Sequence, residues 1–224
     1  YVSPARRSIP RETPWGVLPY VEYRRRLEFD NAQLAGLRDH AHAAGLAWFA
    51  SALDVGSVSR LDALGVPCHK VASPMLTDDA LLCAMRGRPV LLSTGMSTLE
   101  QVDHAMDVLG REDVALLHCT SAYPCPPELA NLRMITTLRE RYGLPVGYSG
   151  HEVGVPESVA AVALGACIVE RHLTLSRAMW GSDHGASLEP SGFATLVRYI
   201  RTVEVAMGDG MKRVYAAEGE NRAK

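Results

Sequence analysis

The chain has 224 residues, 47% of them hydrophobic and 21% charged, enough to bury a substantial core in one α/β domain. Its net charge of -2, with lysine and arginine scattered, excludes a basic nucleic-acid surface and a membrane-binding face and points to a small-molecule partner. No apolar run approaches the roughly 18 to 20 residues that span a bilayer, and five cysteines without metal-type spacing read as buried thiols of a reducing, cytoplasmic compartment.

Residues 1–29, with Pro4, Pro10, Pro14 and Gly16 among arginines, read as a long irregular loop. A repeating unit then takes over. Apolar segments at 47–51, 69–73, 90–94, 115–120, 146–149 and 167–172 are continuous rather than alternating, as strands buried on both faces of a parallel sheet or barrel require. Between them, helical patterns at 31–45, 55–65, 78–87, 98–110, 129–143 and 156–165 each stop at glycine, and a last helix is expected at 190–207. Ser97 with Glu100 predicts a capping box before the fourth helix. A unit of about 21 to 30 residues favours a TIM-type (β/α)8 barrel over a doubly wound sheet. About six β/α units are present, so residues 30–207 read as a barrel domain lacking its first two strands, and the polar stretch 208–224 as a linker within a longer protein.

Reactive groups in such barrels come from the C-terminal ends of strands, and the unusual polar residues fall there: Ser51, Lys70, Ser73, Ser93, the run from His118 to Tyr123, Ser149, His151, Glu170 and His172. His151 and His172 are 21 residues apart, about one strand plus one helix, so both imidazoles should emerge at the same end of neighbouring strands. Two neutral imidazoles offer a partial site for a divalent ion, and without a nearby thiolate or third histidine a hard ion such as Mn²⁺ or Mg²⁺ is at least as well suited as Zn²⁺. Lys70 lies in an apolar run, where an ammonium without a partner is costly; with Ser51, Ser73, Ser93, Ser121 and Ser149 it can ring a phosphate. His118 reads as a core residue and His40 and His42 as solvated. Glu170 is open to two readings, orienting a metal-held water or pairing with Arg171. A polar, glycine-rich loop, Trp180 to Pro190, follows the last strand.

Several strings, in order, resemble the catalytic barrel of the sialic acid synthases, the phosphoenolpyruvate-dependent nonulosonate synthase family: Trp15-Gly16 with Arg26-Leu27-Glu28-Phe29, Lys70-Val71-Ala72-Ser73, Leu92-Ser93-Thr94-Gly95-Met96, His118-Cys119-Thr120-Ser121-Ala122-Tyr123-Pro124, Gly147-Tyr148-Ser149-Gly150-His151, Glu170-Arg171-His172-Leu173-Thr174 and Gly181-Ser182-Asp183-His184. The resemblance implies condensation of phosphoenolpyruvate with N-acetylmannosamine, its 6-phosphate or a related amino-sugar aldose, with release of phosphate. It assigns His151 and His172 to the metal, Mn²⁺ first with Mg²⁺ or Co²⁺ as alternatives, and Lys70 and Ser51, Ser73, Ser93, Ser121 and Ser149 to phosphoenolpyruvate. It makes Glu170 catalytic, puts Tyr123 and Asp183 against the sugar, and implies a cytoplasmic homodimer.

The resemblance has two gaps. The family carries an acidic residue two positions after the serine of the Lys-x-x-Ser string, where this chain has Met75; either Asp78 or Asp79 substitutes, or the acceptor or activity has changed. The family's first strands supply a glutamate and a second phosphate-binding lysine, and a C-terminal antifreeze-like domain supplies an arginine to the partner subunit; none is in this chain. The competing readings are a catalytically silent sugar- or anion-binding homologue and a metal-dependent aldolase.

Overall fold

A computed structural model describes residues 4–222. Residues 1–3 and 223–224, the outer ends of the two terminal segments, lie outside the described residues.

The N-terminal segment is more ordered than its composition suggests. β1 (Pro10–Thr13) and β2 (Gly16–Pro19) pair antiparallel, and α1 (Tyr20–Leu27) follows directly. The turn forms because Gly16 adopts φ +93°, while the Thr13 hydroxyl accepts from Trp15 N and donates to the Gly16 carbonyl. Arg11 fastens the hairpin to distant chain: its guanidinium carbon lies 4.7 Å from the Tyr23 ring centre and 5.7 Å from that of Trp180, and Tyr23 and Trp180 meet edge to face at 5.7 Å.

The expected helices are present as α2 (Asn31–Ala43), α3 (Val55–Ala63), α4 (Asp79–Met85), α5 (Leu99–Leu109), α6 (Met134–Tyr142), α7 (Pro156–Ala163) and α8 (Pro190–Met207), with a short α9 (Gly219–Arg222) in the segment expected to be linker. The capping box of α5 is not Ser97 with Glu100 but its neighbour: Thr98 caps Gln101 N, and the Gln101 side chain accepts from Thr98 N. Asp30 and Gln33 build the same box on α2.

Five of the expected strands form one parallel sheet in chain order: β3 (His69–Val71), β4 (Val90–Ser93), β5 (Val114–Cys119), β6 (Val146–Gly150) and β7 (Val169–Arg171). Residues 47–51 do not make the sixth, contributing only a parallel bridge from Ser51 to Lys70. Val71, Val90, Leu92, Leu116, Val146 and Tyr148 are buried between the sheet and a helix layer that contributes Leu61, Leu82, Met106, Ile135, Leu138 and Ala161. The fold is thus α/β with a parallel sheet shaped as part of a barrel wall.

The cysteines are less uniform than expected: all are free, but Cys119 and Cys125 are buried, Cys68 is half-buried, and Cys83 and Cys167 are exposed. Among the described residues no helix is long and apolar enough to cross a membrane.

Candidate active site

Register decides which side chains meet. Cys119 on β5 pairs with Ser149 on β6, and Ser149 with Glu170 on β7, so these three form a row across the C-terminal ends of the strands. Side chains alternate with period two along a strand. The next residues of the same phase are therefore Ser121, His151 and His172, one layer above the row.

The imidazoles of His151 and His172 stand with ring centres 5.3 Å apart. Thr120 O accepts a hydrogen bond of 2.8 Å from His151 Nδ1, which fixes the tautomer and leaves the Nε2 lone pair free. Burial lowers the His151 pKa, and the nearby His172 adds to the effect, so the ring favours the neutral form that can act as a ligand. His172 Nδ1 lies 3.9 Å from Asp183 Oδ2, and Tyr123 packs over both rings, with centres 4.1 Å from His151 and 5.6 Å from His172. Burial, with the Asp183 and Glu170 carboxylates nearby, raises the Tyr123 pKa and keeps the phenol protonated, a hydrogen-bond donor. These two imidazoles fit a divalent ion as a partial ligand set. Among the described residues no group of three or more His, Cys, Asp and Glu side chains completes it.

Lys70 is buried on β3, and its ammonium donates to Ser93 Oγ at 2.7 Å. It also faces Glu170 Oε2 at 3.6 Å, while Glu170 Oε1 accepts from Ser149 Oγ at 2.8 Å. Glu170 therefore does not pair with Arg171, which is bound to Glu152 instead. A second group surrounds Gly95: its N–H donates to Ser73 Oγ at 3.1 Å, Ser73 Oγ is 3.1 Å from Cys119 Sγ, and a Cβ on Gly95 would come within 2.5 Å of Ser121 Oγ. Only glycine lets these groups converge. The structure thus brings Lys70, Ser73, Ser93, Ser121, Ser149 and Glu170 to the same strand ends as Tyr123 and the two histidines. Ser51 sits at the rim, bridged to Lys70 and exposed.

His118 points away from this layer, its Nε2 2.8 Å from Ala130 O, and burial depresses its pKa. Met75 is buried in the turn after Ser73. Asp78 and Asp79 do not take the place of an acid there, since Asp78 caps α4 by accepting from Leu81 N and Asp79 pairs with His104 at 3.0 Å. Sequence reasoning gave no separate role to Cys119, Gly95 or Glu152, and offered Arg171 only as a partner of Glu170. The phase Cys119–Ser121 was the available signal for the first, and the serines and cysteine that close around a missing Cβ give the second only in three dimensions.

A model described as the NeuB family matches residues 3–212. The chain belongs to the NeuB family. It is 42% identical over 209 residues to the N-acetylneuraminate-9-phosphate synthase of Mus musculus, an alignment covering 91% of this chain and 58% of that protein. It is 39% identical over 203 residues to the N,N'-diacetyllegionaminic acid synthase of Campylobacter jejuni, covering 88% and 61%. The chain therefore spans about three-fifths of the length of these NeuB relatives. Among solved structures, an N-acetylneuraminic acid synthetase of Leptospira borgpetersenii in complex with citrate superposes with a TM-score of 0.81 at 32% identity, covering 88% of this chain and 70% of that one. A truncated 3-deoxy-D-arabino-heptulosonate 7-phosphate synthase of Thermotoga maritima, with a TM-score of 0.70 at 20% identity over 81% of this chain and 74% of that one, shares the fold.

Proposed function

We propose that the protein containing this chain condenses phosphoenolpyruvate with an amino-sugar aldose, N-acetylmannosamine, its 6-phosphate or a close relative, to a nonulosonic acid and inorganic phosphate. The observation that carries the reading is the meeting at one set of strand ends of an imidazole pair, His151 and His172, with an ammonium and hydroxyl group, Lys70 with Ser93. NeuB relatives named as synthases of N-acetylneuraminate 9-phosphate and diacetyllegionaminic acid support the same chemistry.

In this reading Lys70, Ser73, Ser93, Ser121 and Ser149, with Ser51 at the rim, hold the phosphate and carboxylate of phosphoenolpyruvate. His151 and His172 would hold Mn²⁺, or Mg²⁺ or Co²⁺, which when bound polarises the aldehyde carbonyl. Tyr123 and Asp183 orient the aldose, the phenol donating and the carboxylate accepting. The enol carbon forms the new carbon–carbon bond, the aldehyde oxygen takes a proton, water adds at C2, and phosphate departs by cleavage of the C2–O bond. In the same reading Glu170 takes a proton from that water, a role that its contacts with Ser149 and Lys70 support. The sheet's curvature supports a complete eight-stranded barrel in the whole protein, which we take to be a cytoplasmic homodimer with residues 208–224 leading to a further domain.

Met75 favours a second reading, a homologue that binds sugar and anion without turnover, since a thioether accepts no proton in the manner of a carboxylate. A panel of aldoses with phosphoenolpyruvate and Mn²⁺, read by mass detection of a sugar acid on the full-length protein, separates the two. A product mass equal to aldose plus pyruvate supports synthesis. Binding of both substrates without product supports the silent homologue.

A further inference from the structure

Glu152 immediately follows His151, and Arg171 immediately precedes His172. Neither side chain faces the site; they meet on the opposite side of the sheet, at the mouth of the β6–α7 loop, with Arg171 Nη1 2.7 Å from Glu152 Oε1 and side-chain exposures of 0% and 1%. Both carry further contacts, and of the Arg171 donors only Nε is buried without a hydrogen-bond partner. Arg171 donates to Glu152 O and Gly154 O at 2.7 Å each, to Ser158 Oγ at 3.1 Å and to Ala186 O at 3.4 Å. Glu152 accepts from Tyr148 OH at 3.2 Å and from the N–H and hydroxyl of Ser158. The pair ties together the ends of β6 and β7, the start of α7 and the turn that follows Asp183.

A buried ion pair of this kind is a weak source of stability, because desolvating two charges offsets most of their attraction, whereas losing one partner strands the other. What it does supply is a fixed geometry. Gly150 fits that view: a Cβ there would meet Tyr148 Cε1 at 2.8 Å and Arg171 Cδ at 3.0 Å, so the strand before His151 lies flush against the pair. Backbone displacement at residue 152 or 171 passes directly to the adjoining histidine, since one peptide unit separates them. Apart from the pair, the His151 ring is held by Thr120 O and by Tyr123, and the backbone carbonyls of His151 and His172 accept from Cys125 N and Leu188 N at 2.8 Å each, while the His172 ring packs against Tyr123 and faces Asp183 only at 3.9 Å.

We propose that Glu152 and Arg171 are positioning residues that set the spacing of the His151 and His172 imidazoles, so that divalent-cation affinity depends on an ion pair that touches neither cation nor substrate. The proposal rests on the reading of the two histidines as metal ligands. Groups behind a ligand typically change metal affinity by about 10- to 100-fold when mutated.

The test is titration of the full chain with Mn²⁺ alone, followed by the paramagnetic resonance signal of the free ion, for the wild type, Arg171→Lys, Glu152→Gln and the distant core control Val58→Ala, each with its unfolding midpoint. Arg171→Lys keeps the charge but loses the forked contacts; Glu152→Gln keeps the shape but loses the charge, and carries the test if the lysine variant does not fold. The expected result is a Mn²⁺ Kd raised about 10-fold or more in the pair variants and unchanged in Val58→Ala, even where that control is equally destabilised. Pair variants that lose thermal stability but bind Mn²⁺ as the wild type does would overturn the proposal and leave the metal reading standing. A wild type that binds no Mn²⁺ would overturn the metal reading, and the proposal with it.

Discussion

Lys70 and Glu170 face each other at 3.6 Å although they belong to β3 and β7, the two outer strands of a five-stranded sheet. Strands lie about 4.8 Å apart, so in a flat sheet the backbones of β3 and β7 would be separated by roughly 19 Å. The contact therefore measures the curl of the sheet, and it brings the ammonium, the carboxylate and the Ser93 and Ser149 hydroxyls into one group.

Replacing Lys70 tests what that group is for. Hydrogen bonds to charged groups contribute about 1.5–3 kcal/mol, so Lys70→Met should weaken phosphoenolpyruvate binding by about 10- to 100-fold, as read by calorimetric titration at fixed Mn²⁺. Unchanged affinity would assign Lys70 to holding Ser93 and Glu170 in place and not to the substrate.

Gly95 offers a steric test of the same pocket. A Cβ there would lie 2.5 Å from Ser121 Oγ, 2.6 Å from Cys119 Sγ and 2.8 Å from Ser73 Oγ, and these groups are too closely packed to retreat together. Gly95→Ala should cost about 1–3 kcal/mol of stability by overpacking and raise KM for phosphoenolpyruvate far more than KM for the aldose. Equal changes in both would show that the three groups do not form the anion pocket.

Acid sensitivity should come in part from His118, whose pKa burial holds below 6.5, the value of the free side chain. Between that lower native value and 6.5 the unfolded chain binds the proton and the folded chain does not, so stability rises with pH through this window and is fully present above it. The unfolding midpoint should fall as pH drops below 6.5, and His118→Asn should reduce that slope. A slope of the opposite sign, or one the substitution leaves unaltered, would contradict the assignment.

Much of this was legible from residue order. Continuous apolar runs marked five strands, glycines marked helix ends, and the spacing of 21 between His151 and His172 equals that between the paired residues Ser149 and Glu170, so the histidines share a layer. The N-terminal hairpin escaped because Pro10–Thr13 has no apolar alternation and is held by Arg11 against Trp180, a partner far along the chain. The pairing of Glu170 with Arg171 was excluded by strand geometry itself, since adjacent residues face opposite sides of a sheet. The true partner, Glu152, becomes visible only once β6 and β7 are set side by side.

The synthase reading is tested most directly by following the bridging oxygen of phosphoenolpyruvate. With ¹⁸O in the C2–O–P bridge, Mn²⁺, N-acetylmannosamine or its 6-phosphate and the full-length protein, the account predicts that the label leaves in inorganic phosphate, released in equal amount to a sugar acid whose new C2 oxygen comes from water. Label retained in the sugar acid, or product formed equally well from pyruvate without phosphate release, would contradict it.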